Sequence, residues 1–86
     1  MSPYILQERR EVLDPIIRRI VQNIDILKRD GELNYVFSRL IASLYGRTYA
    51  EMNSALGLLD AVGKEYYREV VAIYEDEKKA GTGGVY

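Results

Sequence analysis

One stretch decides the fold of this chain: residues 48–79, TYAEMNSALGLLDAVGKEYYREVVAIYEDEKK. It opens with Thr48, followed three positions later by Glu51, which is the spacing of a capping box at a helix start. Behind this start, a stripe of residues recurs at alternating intervals of four and three positions, the period of an α-helix. The stripe consists of Met52, Leu56, Leu59, Gly63, Tyr66, Val70 and Ile73. The pattern predicts one long helix, residues 49–79, about 46 Å in length.

Two shorter helices are predicted upstream of the long one. Asp14 and Pro15 combine an N-cap with proline at the first helical position, and Gly31 after a basic turn suits a helix end. The first helix is therefore placed at residues 14–29 and the second at residues 32–45. Their apolar residues are Ile16, Ile17, Ile20, Val21, Ile24 and Leu27 in the first, and Leu33, Val36, Phe37, Leu40, Ile41 and Leu44 in the second.

These elements predict an all-α fold, a three-helix protomer with one long C-terminal helix in a single domain covering residues 1–86. Residues 1–13 are expected to form an irregular N-terminal arm, and residues 80–86 a flexible or docking tail. No strand pattern is present.

Self-association is expected for two reasons. A chain of 86 residues buries only about 60–65% of its unfolded surface, so a core without disulfides or metals is marginal. The main stripe of the long helix is expected to cover the shorter helices, and a second apolar edge then remains for another subunit. That edge consists of Ala55, Leu58, Val62 and Ile73. We therefore predict a homo-oligomer.

Composition argues against several functional classes. The chain has 12 basic and 13 acidic residues and a net charge of -1, which disfavours a general nucleic-acid binder. No apolar run approaches the ~20 residues that span a bilayer, and the first residues lack the apolar region of a signal peptide. We expect a cytoplasmic protein with no membrane partner.

The chemistry available to a site is also limited. There is no Cys and no His, so the usual soft-metal ligands and imidazole chemistry are missing. The carboxylates of Asp60, Glu65 and residues 75–77 are not spaced to converge in a cleft. We therefore predict no enzyme activity, no metal and no cofactor. The eight tyrosines favour binding instead, because phenol rings stack and form hydrogen bonds.

Two polar surfaces are candidates for binding. On the long helix, one strip beside the apolar stripe contains Asn53, Gly57, Asp60, Lys64 and Val71, and it is bordered by Tyr67, Tyr74 and Lys78. The strip forms a groove floored by Gly57, or else an ordinary polar flank of an amphipathic helix. On the second helix, Tyr35 and Arg39 are four positions apart, beside Asn34 and Ser38. That spacing allows the ring and the guanidinium to stack, or leaves both simply solvated.

Several short motifs occur together along the chain. They are residues 32–36 (ELNYV), 49–53 (YAEMN), 57–60 (GLLD), 67–72 (YREVVA) and 74–76 (YED). As a set they resemble a family of short phage and prophage proteins of unknown function. Members of that family tend to begin with a Pro-Tyr-Ile segment, as residues 3–5 do here, and to close with Gly-Asp-Val-Tyr. This chain ends in Gly83-Gly84-Val85-Tyr86, so the Asp is missing, and Ile73 stands where the family often has Pro. The resemblance covers nearly the whole length and implies an origin in phage, without implying an activity.

The functional hypothesis combines the resemblance with the residue types. We expect a small non-catalytic accessory protein that binds a small anionic ligand at subunit interfaces. The ligand class is a nucleotide immune signal, a cyclic oligonucleotide or an ADP-ribose derivative, whose sequestration blocks host anti-phage defence. Tyrosines stack on bases, Arg and Lys meet phosphates, and Asn contacts ribose or base edges.

The candidate ligand-binding residues are Tyr35, Arg39, Asn53, Lys64, Tyr67, Arg68 and Tyr74, with Asn34 beside them and Tyr4 or Tyr86 as a lid. The alternative is a protein–protein interaction module that acts on a host or virion protein. It uses the same Tyr and Arg side chains as interface anchors, since both types are enriched at binding hot spots.

Overall fold

The computed structural model describes residues 5–83, and all regular structure in this range is helical. The helices are α1 (Gln7–Asn23), a 3₁₀ turn (Ile26–Lys28), α2 (Arg29–Leu44), α3 (Tyr49–Tyr66), a π-helical turn (Tyr67–Val71) and α4 (Ala72–Thr82). The last three follow one another without a break and form one helix of 34 residues. The predicted all-α fold with three helices, the last one long, is confirmed. The chain divides into two compact units, Met1–Leu40 and Ile41–Tyr86.

The first helix begins earlier than predicted. It starts at Gln7 rather than at Asp14, so most of the predicted irregular arm is helical and Pro15 lies inside α1. The backbone N–H groups of Arg9 and Arg10 donate to the Leu6 carbonyl at 2.9 and 3.1 Å, and the Arg10 Nε donates to the Ile5 carbonyl at 2.9 Å. The residues before Pro15 are strong helix formers, and their apolar residues follow the same helical period as those after it. Together they offset the cost of a proline inside a helix, about 3 kcal/mol relative to Ala.

The first helix also ends earlier than predicted, at Asn23 instead of residue 29. Asp25 has an extended backbone, and its Oδ1 accepts a hydrogen bond from the Leu27 N–H at 3.0 Å. A short Asp side chain that bonds the backbone two residues on competes with helix propagation and starts a new turn. The Asp25 N–H in turn donates to Glu32 Oε1 at 2.8 Å. Gly31 therefore lies within α2 and does not end α1.

The start of the long helix agrees with the prediction. Thr48 is the N-cap of α3, and its hydroxyl oxygen accepts a hydrogen bond from the Glu51 N–H at 3.2 Å. The Glu51 carboxylate reaches back beyond the cap, to the N–H of Gly46 at 3.3 Å. The carboxylate thereby satisfies a donor in the turn that follows the end of α2 at Leu44.

The buried face of α3 is not the predicted one. Among residues 5–83 only Ala55 is buried, at 7% exposure, and Leu58 and Ala61 on the same side are half-buried. The main stripe is exposed, including Leu56 at 65% and Tyr66 at 61%. The two faces lie about a third of a turn apart around the helix axis.

A π-helical turn, Tyr67–Val71, interrupts the long helix. A π-turn holds one residue more than the α-helical turn it replaces, so side chains beyond it are rotated relative to a regular α-helix. Gly57 and Gly63, the residues at which sequence allows a bend, both lie within regular α3. The helix then continues through Thr82, into the predicted tail, and ends where Gly83 adopts a left-handed φ of 90°.

Candidate functional site

A shallow surface depression lies along the π-turn and α4. Its lining residues are Tyr67, Ala72, Tyr74, Glu75, Asp76, Lys78, Lys79 and Thr82. Both tyrosine rings are more than half exposed, so they are accessible to a ligand from solvent. The depression contains two of the predicted ligand-binding residues, Tyr67 and Tyr74.

The Tyr67 phenol is fixed by a carboxylate across the π-turn. Its O–H donates to Glu75 Oε1 at 2.8 Å, although the residues are eight positions apart. In a regular α-helix eight positions leave two side chains about 80° apart around the axis. The additional residue of the π-turn brings them nearly into line.

The same contact sets the protonation of Tyr67. The hydrogen bond to Glu75 raises the pKa of the phenol above its ordinary value of 10.0, and the negative charges of Glu75 and Asp76 and partial desolvation add to the shift. The phenol therefore keeps its proton to higher pH than an ordinary tyrosine, with that proton directed at the carboxylate. Its oxygen retains lone pairs with which to accept a hydrogen bond.

A cation–π contact forms the second half of the depression. The Lys78 ammonium lies 5.6 Å from the centroid of the Tyr74 ring, four positions earlier on the same face of α4. Such contacts contribute about 0.5–1 kcal/mol at exposed sites. The arrangement combines an aromatic ring with a positive charge above it, and these are the two kinds of group that contact a base and a phosphate.

Other basic side chains near the π-turn are held by neighbouring carboxylates. Lys64 Nζ is 2.8 Å from Asp60 Oδ2, and Arg68 forms an ion pair with Glu65. Exposed pairs of this kind contribute only about 0–1 kcal/mol. An anionic ligand could therefore displace either carboxylate at small cost.

The remaining candidate residues are not part of the depression. Asn53 precedes Tyr67 by about 21 Å along the helix axis, so one small ligand does not reach both. Lys64 is also outside the lining, and Gly57, the predicted floor of a groove, has nothing within 4 Å of the position of a Cβ.

On α2, Asn34 Oδ1 accepts a hydrogen bond from the Ser38 hydroxyl at 3.4 Å. Tyr35 and Arg39 are exposed on the same helix. Tyr4 and Tyr86 lie outside the described residues.

Four charged residues that line the depression are not among the ligand contacts predicted from the sequence: Glu75, Asp76, Lys78 and Lys79. A helical wheel with a constant 3.6-residue period places Glu75 away from Tyr67, so no sequence signal pairs them. The depression has two carboxylates and two ammonium groups among its lining residues. It is thus locally balanced in charge. Among residues 5–83, no three His, Cys, Asp or Glu side chains are grouped so as to hold a metal ion.

A protein-family match covers the helices and the depression described above. A family model described as "Domain of unknown function (DUF6899)" matches residues 1–85. The chain belongs to the DUF6899 family. The match includes α1 to α4 and the π-turn, so the depression lies within the DUF6899 domain. Searches of curated proteins and of solved structures give no match. Within the described range of this DUF6899 chain, no helix is long and apolar enough to cross a membrane.

Proposed function

We propose that this protein is a small, non-catalytic accessory protein of phage type that sequesters a small anionic ligand in the host cytoplasm. The proposed ligand class is a nucleotide immune signal, a cyclic oligonucleotide or an ADP-ribose derivative, and its removal blocks host anti-phage defence. The observation that carries the proposal is the pair of exposed rings, Tyr67 and Tyr74, with Lys78 beside one of them. This set offers stacking, hydrogen bonding and positive charge on one surface.

The charge balance of the depression favours a site completed by a second subunit. Glu75 and Asp76 offset Lys78 and Lys79 within one chain, so a single protomer offers an anion no net positive charge. A neighbouring protomer can add basic side chains such as Arg68, whose partner Glu65 is itself partly exposed. We therefore place the ligand at an interface of a homo-oligomer.

Native mass spectrometry of the full chain tests the proposal. The protein is mixed separately with cyclic dinucleotides, cyclic trinucleotides and ADP-ribose derivatives. We expect an adduct of the mass of one ligand at a fixed ratio per oligomer. Absence of any adduct across the panel removes the proposal for the classes tested.

Two variants localise the site. Tyr74→Ala removes the ring under Lys78 and is expected to weaken the adduct about tenfold, since stacking on an aromatic side chain contributes about 1–3 kcal/mol per base. Tyr49→Ala removes a more exposed ring at the start of α3, outside the depression. An adduct that survives Tyr74→Ala as well as it survives Tyr49→Ala excludes the depression as the binding site.

A protein–protein interaction module is the second candidate, and the 3₁₀ turn favours it. Leu27 is 92% exposed there, beside the exposed Ile26. Adjacent exposed apolar side chains of this kind are typical anchors for a protein partner. A pull-down with the full chain tests this function. Retention of a host or virion protein that is lost with Leu27→Ser and kept with Leu44→Ser would support it over sequestration.

A further inference from the structure

We infer that the ligand of the depression carries a free vicinal diol, which Glu75 and Asp76 bind while Lys78 and Lys79 bind its phosphate. All four side chains line the depression. The inference rests on the proposed function and narrows it to ADP-ribose derivatives, which keep two neighbouring free hydroxyls on at least one ribose. In a cyclic oligonucleotide each ribose uses one of these hydroxyls for the ring linkage, so no vicinal diol remains.

The part of the depression nearer the π-turn consists of hydrogen-bond acceptors. The Tyr67 hydroxyl donates its proton to Glu75 Oε1 at 2.8 Å, so its oxygen is only an acceptor toward any other group. The second carboxylate oxygen of Glu75 and both oxygens of Asp76 are acceptors as well, since an ionised carboxylate has no proton to donate. A ligand must therefore present hydrogen-bond donors here, and the oxygens of a phosphodiester or diphosphate bridge are acceptors.

The next turn of α4 supplies donors. Lys78 and Lys79 are ammonium groups with three donors each and no acceptor. They follow Glu75 and Asp76 by three positions on the same helix, about 4.5 Å along its axis. The Lys78 ammonium is held 5.6 Å from the centroid of the Tyr74 ring. Positive charge and an aromatic ring therefore occur together in this turn, where a phosphate is the complementary group.

This order of acceptors and donors matches the two sides of a nucleotide ribose. The diol lies on one edge of the sugar and the phosphate is attached on the other, so a single sugar ring separates them. Carboxylates bind ribose hydroxyls in dinucleotide sites, and ammonium groups bind phosphates. The exposed rings of Tyr67 and Tyr74 then offer faces for the base.

The carboxylates distinguish the two ligand classes of the proposed function. A ligand that presents only phosphates to this surface meets Glu75 and Asp76 as like charges, which disfavour binding. A hydroxyl instead donates to a carboxylate, and such charge-assisted hydrogen bonds are about twice as strong as neutral ones. A diol therefore uses the same two carboxylates that weaken the binding of a ligand without one.

A matched pair of substitutions tests the diol. Asp76→Asn removes one carboxylate from the lining, while Glu77→Gln removes the same charge from the neighbouring position, which is outside the lining. Both residues are exposed within α4, so both variants should fold as wild type does. Circular dichroism of the two variants checks this.

Isothermal titration calorimetry measures the binding of ADP-ribose and of 3′,5′-linked cyclic di-AMP to the full chain. Both ligands contain adenine and two phosphates, but only ADP-ribose has a vicinal diol. We expect wild type to bind ADP-ribose about tenfold more tightly or better. Asp76→Asn should weaken the binding of ADP-ribose about tenfold, because a hydrogen bond to a charged group is lost, and should not weaken that of cyclic di-AMP. Glu77→Gln should bind ADP-ribose as wild type does.

The outcomes separate this inference from the proposed function. If the carboxylates only repelled anions, Asp76→Asn would bind both ligands more tightly, and that result overturns the inference. Wild type that binds cyclic di-AMP as tightly as ADP-ribose overturns it as well, and so do equal affinities of the two variants for ADP-ribose. In these three cases nucleotide binding itself stands. Binding of neither ligand to wild type removes both the inference and the proposed function for these two nucleotides.

Discussion

Tyr67 and Glu75 are eight positions apart on one helix, and their side chains share a hydrogen bond of 2.8 Å. A regular α-helix does not align such a pair, so the bond depends on the additional residue in the π-turn between them. The π-turn thus determines which groups line the depression. It also places Tyr67 and Arg68, two residues predicted from sequence as ligand contacts, in the segment where the helix changes register.

Glu75→Gln is expected to lower the pKa of Tyr67 toward its ordinary value of 10.0. The amide oxygen still accepts a hydrogen bond, but the negative charge that disfavours the phenolate is gone. The titration of ¹³C-labelled tyrosine followed by NMR distinguishes Tyr67 from the other seven rings. Asp76→Asn is the control, because Asp76 is the smallest contributor to the shift, and it should move the pKa less. A larger effect from Asp76→Asn would contradict the contact.

The sign of the associated pH dependence follows from the raised pKa. A tyrosine whose pKa is higher in the folded state contributes stability that is fully present below the unfolded pKa of about 10 and is lost as pH rises through the folded pKa. Wild type should therefore lose stability relative to Tyr67→Phe above about pH 10. Chemical unfolding at pH 8 and at pH 10.5 measures the difference. A difference that grows with pH in favour of wild type would be inconsistent with the raised pKa.

Deletion of one valine from the pair Val70 and Val71 tests the π-turn directly. The shortened chain can form a regular α-helix, in which Tyr67 and Glu75 become seven positions apart and remain on the same face. The raised pKa of Tyr67 should therefore survive the deletion. Replacing Val70 by Ala, which keeps the length, is the control for loss of the side chain. If the pKa of Tyr67 returned to its ordinary value in the deleted chain but not in Val70→Ala, placing Tyr67 and Glu75 on the same helix face would not explain their hydrogen bond.

Local signals in the sequence predicted local structure well. Thr48 and Glu51 predicted the start of the long helix because a capping box is formed by residues three positions apart. Helix α1 ends earlier than its apolar period indicates, because the Asp25 side chain caps the following turn. Pro15 does not mark the start of α1, since the apolar period already begins three residues before it at Val12.

The site was predicted less completely than the fold, for a physical reason. Tyr67 and Tyr74 could be chosen as exposed aromatic residues on one helix, and the structure places both in the depression. The partners of these rings depend on the rotation introduced by the π-turn, and a period of 3.6 residues does not contain it. Helical periodicity likewise does not predict that the buried residue of α3 is Ala55, which lies outside the main stripe.

Thr48→Ala is expected to destabilise the protein by about 1 kcal/mol, within a range of roughly 0.5–2. The substitution removes the hydroxyl that accepts the Glu51 N–H. Thr82→Ala is the matched control, because that hydroxyl donates to the Lys78 carbonyl in the last turn of α4, where no cap depends on it. Its effect should stay within about 0.5 kcal/mol. Urea unfolding followed by circular dichroism measures both, and equal losses would argue against the cap.

Pro15→Ala is expected to stabilise the protein by about 1–3 kcal/mol. Pro15 is inside α1, where it lacks an N–H for the Glu11 carbonyl and its ring crowds that carbonyl, at a cost of about 3 kcal/mol relative to Ala. The greater freedom of Ala in the unfolded chain reduces the gain by about 0.4–1 kcal/mol. Asp14→Ala, at the neighbouring exposed position, should change stability by no more than about 0.5 kcal/mol if Asp14 is an interior residue of α1. If α1 instead began at Pro15, Asp14→Ala would remove an N-cap and destabilise the protein by about 1 kcal/mol. Pro15→Ala would then give no gain in stability. The two variants together therefore decide where this helix begins.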